Sequence, residues 1–113
     1  MEQSLAEKRC TACVGGIAAL QRDQIQALRA GLGEGWRVVD DFRLEREFRF
    51  KDFKGALAFT NTVGAVAEAE NHHPDIYLSW GKVRVTLWTH KAKGLTENDF
   101  ILAAKIDALT IAD

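Results

Sequence analysis

Residues 75–90 read DIYLSWGKVRVTLWTH. Apolar side chains recur at every second position, as Ile76, Leu78 and Trp80 and then as Val83, Val85 and Leu87, on either side of Gly81–Lys82. A period of two belongs to a strand with one buried face, and a helix cannot satisfy it. Two such runs across a glycine-containing turn predict an antiparallel hairpin. That hairpin has an apolar face to cover, so the remaining segments must supply partner strands and helices.

They do so in a regular order. IAALQRDQIQALRA (17–30) sets Ile17, Leu20, Ile25 and Leu28 near helical spacing, and GLGEG then stops the helix. WRVVDDFRLEREFRF (36–50) predicts two short strands around a polar turn at Asp40–Asp41, although Leu44, Arg46, Phe48 and Phe50 alternate imperfectly. KDFKGALAFTNTVGAVAEAEN (51–71) predicts a second helix with Phe53, Leu57, Thr60, Val63 and Ala67 along its apolar face. Near the C-terminus, Thr96 followed three residues later by Asp99 resembles a capping box that opens a third helix. The expected architecture is α+β in the order α-β-β-α-β-β-α, with helices packed on one face of a four-stranded antiparallel sheet. It occupies residues 17–113, and residues 1–16 are expected to be a loosely ordered N-terminal segment.

Between Phe100 and Ile111 only Lys105, Asp107 and Thr110 are polar, more apolar surface than is needed to cover one sheet. The expectation is that a second face of this helix meets another copy of the chain, giving a homo-oligomer, a dimer or a tetramer.

Charge and composition exclude several function classes. The 15 Lys and Arg are interspersed with 16 Asp and Glu, so no basic stripe exists for nucleic acid or an anionic membrane. No apolar run approaches a membrane span, and MEQSLAEKRC lacks the features of a secretory signal, so a cytoplasmic location is expected. Cys10 and Cys13 form a CxxC, but structural zinc needs four ligands and no second Cys pair follows. A redox CxxC would open a helix after a strand, which this one does not. The expectation is two thiols with a local packing role and no metal; a mixed site with His72 and His73 is the remaining metal arrangement.

All three histidines fall within residues 67–90, AEAENHHPDIYLSWGKVRVTLWTH. Glu68 precedes His72 by four residues, the spacing of one helical face. Pro74 cannot continue a helix and disfavours helical geometry at His73, so the pair sits at a helix-to-strand corner. His90 is in phase with Trp88, Thr86 and Arg84, opposite to Val83, Val85 and Leu87. Convergence with the pair therefore requires the strand end to twist or bulge. Imidazoles gathered at two corners, with Glu68 and Asp99 in reach, are candidates for a proton-transfer or metal centre.

The spacing Glu68-xxx-His72-His73-Pro74-xxxxx-Trp80-xxxxxxxxx-His90-xxxxxxxx-Asp99 resembles the signature of the pterin-4a-carbinolamine dehydratase family. FKDF (50–53), GW (35–36), KVRVTLWTH and GLTENDFILAAKID are similar to that family as well, so the resemblance covers roughly residues 17–109. It implies dehydration of 4a-hydroxytetrahydropterin, the product of an aromatic amino acid hydroxylase, to quinonoid dihydropterin and water. Such a reaction needs an acid and a base near neutrality and no cofactor. On this resemblance His72 and His90 are the main acid/base candidates, and His73 binds or orients substrate. Glu68 holds an imidazole in its useful tautomer, and Asp99 does the same for His90 or simply caps its helix. Asn71 and Thr89 offer polar groups to the pterin, and Trp36 is a candidate pocket wall. Trp88 departs from the small hydroxyl residue of better-known members and implies a bulkier pocket edge. Some members of the family bind a transcription factor or act in assembly, so a non-catalytic binding role is the alternative.

Overall fold

The computed structural model describes residues 4–10 and 18–109. Its elements run α1 (Arg22–Arg29), β1 (Arg37–Val39), β2 (Arg43–Arg49), α2 (Phe53–Glu70), β3 (Asp75–Ser79), β4 (Lys82–Leu87) and α3 (Glu97–Ala108), after a single 3-10 turn at Leu5–Glu7. The four strands form one antiparallel sheet in the order β1-β2-β4-β3. The α-β-β-α-β-β-α domain expected from the pattern is the one observed.

The inner face of the sheet carries Leu44 and Phe48 from β2 and Val83, Val85 and Leu87 from β4, all buried. Register pairs Leu44 with Leu87 and Phe48 with Val83, which stacks these side chains into a continuous floor. Arg46 interrupts the alternation for a reason. It shares the inner phase, but its guanidinium lies over the Phe48 ring and reaches the Asp107 carboxylate of α3 at 2.6 Å. Trp36 Nε1–H donates to the same Asp107 oxygen at 2.8 Å, tying the start of β1 to α3.

Several boundaries and faces differ from expectation. Helix α1 begins at Arg22; Ile17 lies outside the described residues, and Leu20 instead donates its backbone N–H to the Leu95 carbonyl. The α2 stripe is Ala56, Phe59, Val63 and Ala67, whereas Phe53 and Leu57 are 43% and 40% exposed. Phe59 sets this rotation by stacking on Phe48 and Phe50, at ring distances of 4.7 and 5.2 Å. The β3–β4 turn is centred on Trp80–Gly81, one residue earlier than expected, because Ser79 pairs with Lys82. Trp80 therefore stands in the turn at 67% exposure and contributes nothing to the core. Gly81 is required there, since a Cβ would lie 2.9 Å from the Phe50 carbonyl oxygen.

The apolar excess of α3 is met largely within the chain. Phe100, Ile101, Leu102, Ala103 and Ile106 are all buried. Residues 4–10 lie along this helix. Leu5 packs against the core, Lys105 Nζ donates to the Ala6 carbonyl at 2.8 Å, and Lys8 pairs with Glu97 at 2.8 Å. Cys10 is half-buried and free, its backbone N–H bonded to Glu70; Cys13 and the rest of 11–16 lie outside the described residues. No helix among the described residues is long and apolar enough to cross a membrane.

Candidate active site

Helix α2 ends in a motif that separates the two adjacent histidines. Asn71 adopts a left-handed conformation (φ 52°, ψ 38°), its N–H bonds the Glu68 carbonyl, and the His72 N–H bonds the Ala67 carbonyl. Asparagine tolerates this conformation better than most side chains, and the paired bonds close the helix end. Pro74 then forces the chain into β3. Because the backbone swings through Asn71, His72 is buried at 8% exposure while His73 is exposed.

His72 meets the first turn of α3. Its Nε2 lies 2.6 Å from Asp99 Oδ1, and Asp99 is fully buried. Asp99 Oδ2 accepts from the Thr96 backbone N–H at 2.9 Å and from the Thr89 hydroxyl at 2.8 Å, and the Thr89 and Thr96 hydroxyls are 2.8 Å apart. The Asp99 carboxylate is thus engaged at both oxygens, Oδ1 by His72 and Oδ2 by Thr89 and Thr96. A carboxylate only accepts, so the His72 proton sits on Nε2, and Nδ1 is the nitrogen left for a ligand.

His73 pairs with Glu68, Nε2 to Oε1 at 2.8 Å, on the exposed side of the corner. The expected partners are therefore exchanged: Glu68 serves His73 rather than His72, and Asp99 serves His72 rather than His90. Asp99 also caps α3, so one carboxylate both holds an imidazole, that of His72 rather than His90, and closes the helix start.

His90 arrives by a different route. β4 stops at Leu87; Thr89 continues the inner phase and is buried, pairing with Gly94 in an isolated bridge. The Ala92 N–H bonds the Thr89 carbonyl and the Lys93 N–H bonds the His90 carbonyl, closing a turn with Lys93 at φ 54°. His90 keeps the Trp88 phase and joins the others from the rim, its ring 4.0 Å from that of Trp88. One cavity of about 400 Å³ is lined by all three histidines with Asn71 and Thr89. Trp88 and Lys91 complete its wall. The volume falls in the range of small-molecule pockets.

The structure thus brings together His72, His73, His90, Asn71 and Thr89 around the cavity, with Glu68 and Asp99 one contact behind. Trp36 is not among the lining residues; it is a core tryptophan 1% exposed. Thr96 escaped the sequence reading as a member of the network, although the capping-box spacing that places Asp99 also places it. Among the described residues no three His, Cys, Asp or Glu side chains are grouped to hold a metal ion.

This small α+β domain presents one carboxylate-backed, buried imidazole and two exposed ones to a single cavity, an arrangement chemically capable of proton transfer. The chain belongs to the pterin 4 alpha carbinolamine dehydratase family, whose model matches residues 18–109. It is 54% identical over 104 residues to a protein of Alkaliphilus metalliredigens named for pterin-4-alpha-carbinolamine dehydratase, covering 92% of this chain and 94% of that one. Among solved structures it resembles a transcriptional coactivator/pterin dehydratase from Brucella melitensis, with a TM-score of 0.75 and 35% identity over 80% of this chain and 97% of the other. It also resembles a pterin dehydratase-like protein identified as a RuBisCO assembly factor in the alpha-carboxysome, with a TM-score of 0.59 and 26% identity over 71% of this chain and 94% of the other.

Proposed function

We propose that the protein dehydrates 4a-hydroxytetrahydropterin to quinonoid dihydropterin and water by histidine acid/base catalysis, regenerating the pterin used by an aromatic amino acid hydroxylase. The observation that carries this reading is the cavity shared by three imidazoles, one of them backed by buried Asp99. Dehydration breaks the C4a–O bond while a neighbouring ring N–H loses its proton to form the new double bond. His72 is suited to take that proton at Nδ1, because Asp99 holds its Nε2–H and stabilises the imidazolium that results. His90, exposed at the rim, is suited to protonate the departing hydroxyl and to recover its proton from water. His73, steadied by Glu68, faces the substrate beside Asn71 and Thr89. Proton in and proton out balance, and the net product besides the pterin is one water.

The test is the decay of 4a-hydroxytetrahydropterin, generated in place by a phenylalanine hydroxylase and followed by ultraviolet absorbance. Catalytic acceleration by the purified protein is expected.

The second reading is a binding or assembly role on the same fold. It is favoured by the two structural relatives, one described as a transcriptional coactivator/pterin dehydratase and the other as a RuBisCO assembly factor. The presence of the whole histidine set argues for the enzyme, since a pure binder has no use for it. A folded but inactive protein would move the assignment to binding.

A further inference from the structure

The three histidines are held in two different ways. His72 and His73 each have a carboxylate on Nε2. The His90 imidazole, among the described residues, has no hydrogen-bond partner and instead lies against the Trp88 indole, with 4.0 Å between ring centroids and 39° between planes. Trp88 is in turn stacked on Phe42, at 4.9 Å and 42°. Phe42 follows the tight β1–β2 turn, where Asp40 and Asp41 have φ values of 55° and 53° and the Phe42 N–H bonds the Val39 carbonyl. The register that pairs Leu44 with Leu87 carries that turn alongside the end of β4. A run of two tilted ring contacts, Phe42–Trp88–His90, therefore leads from that turn to the cavity rim.

An exposed histidine on a four-residue turn would otherwise sample several side-chain rotamers, and few of them face a ligand. Offset aromatic contact removes that freedom without occupying either ring nitrogen. We propose, resting on the dehydratase reading, that Trp88 is a positioning residue for His90, doing with an indole face what Asp99 does for His72 with a carboxylate. The backing from Phe42 fixes the indole itself. This arrangement leaves both His90 nitrogens open to substrate and water, as a group that must donate a proton and then recover it requires. Displacement of a reacting group by roughly 1 Å can cost about a hundredfold in rate, so the brace has a measurable consequence.

The test combines a double-mutant cycle with a spectrum. Trp88→Ala is expected to lower kcat by about tenfold or more with His90 present, and to change it less than about twofold in a His90→Ala background. Trp88→Phe, which keeps an aromatic face, is expected to recover most of the loss. A full and additive loss in the His90→Ala background would overturn the proposal and make Trp88 a pocket wall acting on its own. Independently of activity, ring-proton NMR should place the His90 signals upfield through the indole ring current. In Trp88→Ala they should move back while those of His72 stay put, which also reports on folding. Unmoved His90 signals would overturn the proposal even if the wild type dehydrates the pterin. Should the wild type be inactive, the spectrum alone decides whether Trp88 orients His90, so the two readings fail separately.

Discussion

His72 and Asp99, 27 residues apart in sequence, meet through a 2.6 Å hydrogen bond in which the carboxylate is fully buried and the imidazole nearly so. One carboxylate oxygen orients the histidine; the other ties together the β4 extension and the cap of α3 through Thr89 and Thr96. The same group thus joins the candidate site to the fold, and different substitutions should separate its effect on activity from its effect on stability.

Asp99→Asn keeps the volume and an acceptor but loses the charge and no longer dictates the His72 tautomer. Activity is expected to fall by at least about tenfold, with a modest loss of stability. Asp99→Ala strips the cap and leaves the Thr89 hydroxyl and Thr96 N–H without their acceptor, each costing about 1–3 kcal/mol. Thermal melts of the two variants beside the wild type check the distinction: Asp99→Ala should melt well below Asp99→Asn.

Glu68→Gln probes the other carboxylate. Both partners of the Glu68–His73 pair are largely exposed, and such pairs contribute about 0–1 kcal/mol. Its melting temperature should match that of the wild type, and kcat should fall by much less than in Asp99→Asn. An equal fall would mean that His73, not His72, carries the main proton transfer.

How much of this was legible in the sequence differs by length scale. The β3–β4 hairpin, the Thr96–Asp99 cap and the Pro74 corner are local, and each appears as its spacing demands, save that the hairpin turn falls one residue early and leaves Trp80 exposed. The carboxylate partners were not legible, because a spacing of four residues pairs Glu68 with His72 only if the helix continues. It ends at Asn71 in a left-handed turn, which presents His73 to Glu68 and sends His72 across to α3. The His72–Asp99 contact depends on how α3 packs against the end of α2, which no local pattern encodes. The α2 face is as expected at Val63 and Ala67, but Phe59 takes the place of Phe53 and Leu57 because Phe48 and Phe50 receive its ring.

The Glu70 carboxylate predicts a pH response. Burial pushes its pKa up, but the Cys10 backbone N–H, Lys105 and Arg9 outweigh that and hold it below its ordinary value of 4.5. A carboxyl lowered in the folded state contributes stability that is fully present above 4.5 and is lost as pH falls toward the folded value. Urea midpoints measured from pH 7 down to pH 3 should fall more steeply for the wild type than for Glu70→Gln. Parallel curves would remove Glu70 from the acid response.

Cys10 should be chemically quiet. Burial, then the neighbouring Glu70 charge, pushes its thiol up to about 12, which leaves almost no thiolate at neutral pH. In a Cys13→Ser background, iodoacetamide at pH 8 should label Cys10 far more slowly in native protein than in urea. Equal rates would show that residues 4–10 do not stay docked on α3.

The central claim is that these histidines move protons on a pterin, and it is tested most directly by stopped-flow ultraviolet absorbance of 4a-hydroxytetrahydropterin decay. Wild type, His72→Ala, His90→Ala and the double variant would be compared from pH 6 to 8. Acceleration by the wild type, a loss of about tenfold to a hundredfold in each single variant, and near-complete loss in the double variant are the predicted results. Undiminished acceleration by a folded His72→Ala/His90→Ala protein would contradict the account.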